Sequence, residues 1–304
     1  MISVIGEALV DLVITPDGAV DATLGGAPFN TARVGGRLGA SARFGGAVSN
    51  DRFGSMLAAR LTADHVDTSA LVRVDLPTTL AAAELADDGS ATYRFYIDGT
   101  SAPELRSIDP AAVDGPVIFT GGLGLVLEPM ADAVQAVISS SRPDQLVMVD
   151  VNCRPNVIGD RPTYVDRVTR VVGRADVVKV SDEDLAYLSP GVDPLTAARS
   201  LLTAGPSAVL VTRGGDGVHV FVPGADTVVE VAPVEVVDTI GAGDSFGAGF
   251  LAWWVDSGAA RGDTGDLDRL VAAVHAANQV AAVVVARRGA DPPWRNELPD
   301  DWSP

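Results

Sequence analysis

The stretch Asp238-Thr239-Ile240-Gly241-Ala242-Gly243-Asp244-Ser245-Phe246 holds the residue types best spaced for chemistry. An apolar, strand-like run (228–237) precedes it, and a helix-like run (245–255) follows. Small residues at Gly241, Ala242 and Gly243 let the backbone turn sharply and bring its amides close to a ligand. Those amides would be the unpaired donors of the next helix's first turn, which with the helix dipole make an anion site. Asp244 ends the turn with a carboxylate, and a charge that sits awkwardly in an anion site often marks reactivity. An anion hole with a base beside it suits phosphoryl transfer, where positioning and charge stabilisation supply most of the catalysis. The same turn also reads as an ordinary strand-to-helix connection with Asp244 as its N-cap.

A second Gly-rich element, Leu24-Gly25-Gly26-Ala27-Pro28-Phe29-Asn30, lies far upstream. Pro28 suits a first helical turn, and the glycines before it permit close backbone approach. Gly25, Gly26 and the amide of Asn30 could hold a polyhydroxylated ligand; the plainer reading is a Gly-rich helix start. Asp11 sits within Ala8-Leu9-Val10-Asp11-Leu12-Val13. It is either a strand residue facing solvent or a ligand-binding carboxylate at a sheet end, and alternation does not decide, because both neighbours are apolar.

The elements that must position these residues follow an α/β rhythm. Residues 2–5 read as a buried strand ending at Gly6, 42–48 as a strand and 51–63 as an amphipathic helix. From Thr78 the pattern changes: 79–85 and 91–97 are strand-like and joined by Ala86-Asp87-Asp88-Gly89-Ser90, which is a hairpin. With 9–24 it could form a small antiparallel lid outside the main sheet. Beyond Asp114, strands at 117–120, 146–151, 177–180 and 208–212 alternate with helices at 129–140, 164–172, 181 onward and 194–204. Ser181 to Asp184 has the look of a capping box. A return strand (219–222), the Asp238 to Phe246 loop and a long apolar helix (267–286) follow, and the tail after Trp294 reads as polar and loose. Strands alternating with helices predict a mostly parallel sheet covered on both faces, in one domain over 1–304 with a lid from about 9–24 and 78–100.

Composition narrows the function classes. The net charge is −18 over 304 residues, which argues against nucleic acid and anionic membranes as partners. A local pocket of amides can still take a nucleotide. Cys153 is the one cysteine, so no intramolecular disulfide or cysteine zinc cluster is expected. His65, His219 and His275 show no ligand spacing. The N-terminus lacks a basic leader and the longest apolar runs are short for a bilayer, so the expected location is the cytoplasm.

Together these residues resemble a known pattern. Gly25-Gly26-x-x-x-Asn30 and Asp238-Thr239-x-Gly241-Ala242-Gly243-Asp244-x-Phe246 are similar to the two signatures of the PfkB, or ribokinase-like, carbohydrate kinases. Asp150-Val151-Asn152-Cys153-Arg154-Pro155 resembles the D-x-N-x-R segment of fructokinases and 2-keto-3-deoxygluconate kinases. Thr212-x-Gly214-x-x-Gly217 resembles the phosphate-side turn, and Arg287-Arg288-Gly289-Ala290 the C-terminal loop. The resemblance spans roughly residues 1–293 and implies a ribokinase-like fold. It implies Asp244 as the base that takes the proton of a sugar hydroxyl, with the amides of Gly241, Ala242, Gly243 and Asp244 around the transferring phosphoryl group. It further implies ATP on the side of Thr212, Gly214, Gly217 and Asn278, and Mg²⁺ through waters ordered by Asp184. A K⁺ ion would sit near Asp238, the sugar against Asp11, Gly25, Gly26, Asn30 and Arg154, and a homodimer would form through the lid.

Departures accompany the match. Ser181-x-x-Asp184 stands for the usual N-x-x-E, and Pro293 for a serine of the K⁺-binding ribokinases. Ala27-Pro28 replaces the lysine-bearing segment of ribokinases and points away from ribose. Ile97 stands where relatives often carry arginine. A fructokinase is the leading reading; a 2-keto-3-deoxygluconate kinase, whose substrate carboxylate would need a cation such as Arg154, is the alternative. A dinucleotide oxidoreductase lacks its fingerprint after Gly6. A non-catalytic sugar or nucleotide sensor would have no need of a base at Asp244.

Overall fold

The computed structural model describes residues 1–86 and 91–302. The chain opens with β1 (Ile2–Ile5), then β2 (Leu9–Ile14), β3 (Val20–Gly25) and α1 (Ala27–Arg37). Next come β4 (Ala42–Gly45), β5 (Ala47–Ser49), α2 (Arg52–Ala63), β6 (Val72–Val74), β7 (Leu80–Leu85) and β8 (Ala91–Tyr96). The alternating part runs β9 (Val117–Gly121), α3 (Met130–Ser140), β10 (Leu146–Asp150), α4 (Arg161–Val172), β11 (Val177–Ser181), α5 (Asp182–Leu188), α6 (Pro194–Leu202) and β12 (Ala208–Thr212). It closes with β13 (Val218–Val222), β14 (Ala225–Val229), α7 (Ala242–Asp256) and α8 (Leu267–Val285). The turn expected at 87–90 lies outside the described residues.

Eight strands form the central sheet in the order β14-β13-β12-β11-β10-β9-β1-β4. The six from β12 to β4 are mutually parallel, β13 pairs antiparallel with β12, and β14 pairs antiparallel with β13. These parallel strands are continuous valine-rich runs because both of their faces are buried. Val147, Val149, Val178 and Val180 pack on one face with Met130, Val134, Val168 and Leu185 of α3, α4 and α5. Leu146, Met148, Val177 and Leu210 pack on the other with Phe29, Leu57, Phe250 and Val274 of α1, α2, α7 and α8. α8 is long and apolar enough to cross a membrane by length and composition, yet Leu270, Ala273, Val274, Ala277, Val280 and Val284 bury one face of it within the protein.

The second sheet, β3-β2-β7-β8, is mixed rather than wholly antiparallel. Both hairpins pair antiparallel, but β2 and β7 run parallel. Each hairpin leaves the main body on its first strand, so the two first strands that meet in the middle share a direction.

Three local expectations are corrected. The run 42–48 is two strands, β4 and β5, broken at Gly46, where a Cβ would lie 2.6 Å from the Gly6 carbonyl. The run 228–237 is a strand only to Val229; Pro233 has no N–H to give a ladder, and Val234, Val236 and Val237 lie exposed. The tail is not loose as far as Trp302. Trp302 is 1% exposed and donates its indole N–H to the Ala276 carbonyl at 3.0 Å, because a large apolar ring with one donor gains most where both are satisfied.

A buried ion cluster ties α1 to the C-terminal loop. Asp64, 1% exposed, accepts from Arg33 Nε at 2.7 Å and Arg37 Nε at 2.9 Å. The same guanidinium groups reach the carbonyls of Ala290 and Pro292, and Arg37 also pairs with Asp291. Removing the shared carboxylate leaves buried cations short of an acceptor, which costs about 3–5 kcal/mol. Asp64→Asn is therefore expected to lower the urea-unfolding free energy by about 3 kcal/mol; a change below about 1 kcal/mol would show the cluster to be dispensable.

Candidate active site

Parallel strands leave their carboxyl ends unpaired along one edge of a sheet, and ligands bind where that edge opens into a crevice. Asp150, Lys179, Ser181 and Thr212 stand at or next to those ends, Asp150 across from Lys179 and Ser181 across from Thr212 in register. A cleft of about 520 Å³ opens beside them, roofed by Ala81, Ala83, Tyr93 and Phe95 of β7 and β8.

Two loops far apart in sequence meet in this cleft. Gly26 precedes α1 with φ +107°, and a Cβ there would lie 2.8 Å from the Glu7 carbonyl, so only glycine fits. Gly241 precedes α7 in the left-handed region at φ +77°. No side chain caps either helix end. Among the described residues the amides of Gly243 and Asp244 meet no acceptor on the chain, while that of Ala242 reaches the Thr239 carbonyl at 3.2 Å. These are the orphan donors of a helix N-terminus, open to the cleft.

Asp244 is 8% exposed and accepts a hydrogen bond from Asn30 Nδ2 at 2.9 Å. Burial pushes its carboxyl up to about 6, with the Asn30 bond opposing and the nearby Asp150 charge adding to the rise. Asn30 Oδ1 is buried without a hydrogen-bond partner among the described residues, an acceptor that a ligand hydroxyl would satisfy. Asp11, in β2, faces the same cleft with its carboxyl raised to about 6 by burial and lowered by Arg154. A side chain on Gly25 would meet Asp11 Oδ2 at 2.0 Å. Arg154 also lines the cleft and is held by the Asn152 side chain and, at 3.0 Å, the Cys153 carbonyl.

The remaining expected positions lie outside this cleft. Thr212 ends β12, and Gly214 and Gly217 turn the chain at φ +52° and +87°. Asn278, on α8, points Nδ2 toward the Glu230 carbonyl at 3.5 Å. Asp184 completes the capping box at Ser181: its carboxylate accepts from the Ser181 amide at 3.0 Å and the Cys153 amide at 2.6 Å. Asp238 bonds the amides of Ile240 and Gly289, at 3.0 and 2.8 Å, and so joins its loop to the C-terminal one.

Sequence reasoning gives no role to two residues that the structure puts at the centre. Lys179 is 5% exposed and binds both oxygens of Asp150 at 3.0 and 2.9 Å. Glu7 is 2% exposed and accepts from the Ala27 amide, in the first turn of α1, and from the Gly124 amide, both at 3.1 Å. The available signal for Lys179 was a charge inside an apolar strand, Val177-Val178-Lys179-Val180. Glu7 offers none, since its partners come from residues 20 and 117 positions away.

Burial pushes the Glu7 carboxyl up from 4.5 to about 8, against its own amide, the Ala27 amide and Arg154, with the Asp244 charge adding to the rise. A carboxyl raised by folding keeps its proton in the native state at a pH where the unfolded chain has lost it. Raising pH through that window therefore favours unfolding. Wild-type stability should fall between about pH 5 and 8, as read by denaturant titration. Glu7→Gln places an amide donor against an N–H, costing about 1–3 kcal/mol at pH 5, and this gap should shrink as pH rises. A constant gap from pH 5 to 8 would refute Glu7 as the titrating group.

The comparisons with known proteins agree on one family. The model of the pfkB family carbohydrate kinases matches residues 1–297. A fructokinase of Rhizobium leguminosarum bv. trifolii is 34% identical over 263 residues, 83% of this chain and 79% of that protein. The structure of a fructokinase from Xylella fastidiosa with bound ATP superposes with a TM-score of 0.88 at 27% identity, covering 98% of this chain and 94% of that one. A fructokinase from Vibrio cholerae O395, whose structure holds fructose, ADP and a potassium ion, gives 0.83 at 25% identity, covering 95% and 93%.

Proposed function

The chain belongs to the pfkB family of carbohydrate kinases, and from that premise we propose that it is a fructokinase, moving the terminal phosphoryl group of MgATP to a hydroxyl of fructose. The observation that carries the reading is the meeting of Asp244, Asn30 and the open amides of α7 in one cleft. Support comes also from the fructokinases among its relatives and from the ATP and fructose in the structures it resembles.

In this reading Asp244 accepts the proton of the attacking hydroxyl, Asn30 holds the carboxylate in place, and the free Asn30 oxygen takes a second sugar hydroxyl. Asp11, Gly25 and Gly26 bound the sugar, with Arg154 lining the same cleft. The amides of Gly241, Ala242, Gly243 and Asp244 face the charge that develops on the phosphoryl oxygens. The nucleotide extends along the sheet edge toward Thr212, Gly214, Gly217 and Asn278. Mg²⁺ arrives with the phosphates: among the described residues no three His, Cys, Asp or Glu side chains could cage an ion. Asp184 and Asp238 already serve backbone amides with both carboxylate oxygens, so their metal roles would add to, not replace, those bonds.

The four-stranded sheet of β2, β3, β7 and β8 acts as a lid in this reading, because its side chains Leu12, Val13, Tyr93 and Phe95 roof the cleft and exclude water. Its edge residues Val20 and Tyr96, 59% and 52% exposed, are where we place the contact of a homodimer. The compartment we assign is the cytoplasm, where MgATP is supplied.

The test is ADP release with MgATP across fructose, 2-keto-3-deoxygluconate and ribose. Fructose is expected to be preferred, and preference for the keto acid would transfer the assignment to that kinase. Asp244→Asn should lower kcat by about a hundredfold or more while nucleotide binding persists. Because the base must be ionised, kcat/KM should rise with pH through about 6 and level off above it. Asp11→Asn should keep that rise, since Asp11 takes no proton in the reaction; its loss there would move the titration to Asp11.

A further inference from the structure

Of the 22 basic residues in this chain, 21 are arginine and one, Lys179, is lysine. Wherever a positive charge alone is needed, this sequence uses a guanidinium. A position that keeps an ammonium asks for what a guanidinium lacks: a compact point charge whose three donors spread tetrahedrally.

The surroundings of Lys179 show why. Its Nζ binds both oxygens of Asp150, at 3.0 and 2.9 Å, and both side chains are almost fully buried. Among the described residues no third acceptor meets the ammonium. It also reaches the first turn of α7, since a Cβ on Gly243 would lie only 3.2 Å from Nζ. The ammonium therefore borders the cleft between the sheet edge and the helix N-terminus. Two positive features meet there, a whole charge and the positive end of a helix dipole, and they repel unless an anion lies between them. Asp150 compensates from the sheet side. On the cleft side, the group that fits is the one that arrives with substrate.

We propose that Lys179 is a further catalytic residue, whose ammonium contacts and neutralises the transferring phosphoryl group, and that Asp150 is the positioning residue that aims it. The inference rests on the phosphoryl-transfer reading above. As the hydroxyl proton passes to Asp244, the sugar oxygen forms its bond to the γ-phosphorus. The bond from that phosphorus to the bridging oxygen breaks, and ADP leaves with the electron pair. Lys179 gives up no proton; it stands beside oxygens whose charge the α7 amides meet from the other side.

The simpler account is a structural ion pair, and a double substitution separates the two. Lys179→Met alone leaves Asp150 buried without a counter-charge. Lys179→Met with Asp150→Asn removes the pair together. With MgATP and fructose, both variants are expected to lose kcat by about a hundredfold or more, as when one donor to a developing oxyanion is removed, with KM for fructose within about threefold. Recovery of wild-type kcat in the double variant would overturn the proposal. A second measurement needs no turnover. In protein labelled with ¹⁵N-lysine, the one side-chain ammonium gives one signal. It should move when a non-hydrolysable MgATP analogue binds. A signal unmoved while calorimetry records the analogue binding would overturn the contact. Failure of the wild type to phosphorylate fructose would strike the fructokinase reading, and the labelled lysine would still decide the role of Lys179.

Discussion

Carboxylates buried at the carboxyl edge of a parallel sheet must each find a compensating charge or donor, and most of the site's architecture follows from that constraint. A buried, uncompensated charge is among the costliest defects a fold can hold. Each acid here has a different answer. Glu7 takes two amides, Asp150 takes Lys179, Asp184 takes the amides of Ser181 and Cys153, and Asp244 takes the amide of Asn30. The answers link elements together: Glu7 fixes the start of α1 to the turn after β9, and Asn30 fixes α1 to α7. The geometry of the cleft is thus assembled by the same bonds that make its charges tolerable.

The compensation is incomplete inside the cleft. Among the described residues the Asp244 carboxylate has one hydrogen bond, from Asn30, and its carboxyl is held above the ordinary range, as the proposed role of general base near neutral pH requires. Asn30 keeps an unmet oxygen, α7 keeps unmet amides, and Lys179 has no third acceptor among the described residues. Donors and acceptors left open in a roofed cleft are preorganised for a ligand that supplies their partners. Asp64, by contrast, is answered by two guanidinium groups that do not line the cleft. Its position between α1 and the C-terminal loop is structural in character.

The legibility of these features in the sequence varied with how local their causes are. The two Gly-rich loops were readable because each encodes its own turn: Gly26 and Gly241 both occupy positive φ. Alternating valine-rich strands and helices foretold the parallel sheet, since continuous apolar runs belong where both faces are buried. The capping box at Ser181 was also readable, because both partners lie within four residues. Other expectations failed where a distant contact decided. The tail after Trp294 reads as loose until Trp302 finds the Ala276 carbonyl. The second sheet reads as antiparallel until two hairpins join through their first strands. The apolar run before the organising loop reads as one strand, yet it ends at Val229, opposite Val218 where its partner β13 begins.

From its residues alone, this protein was determined as an α/β kinase of its family, with Asp244, Asn30 and the glycine loops as its candidate site. Those features rest on short spacings that backbone geometry interprets in place. Tertiary structure alone decided the partners of the buried charges. It turned Asp184 toward backbone amides, gave Glu7 two loops to join, and set Lys179 between Asp150 and α7. The physical reason is range: a turn is specified by its own few residues, whereas the fate of a buried charge depends on whichever donors folding brings within about 3 Å of it.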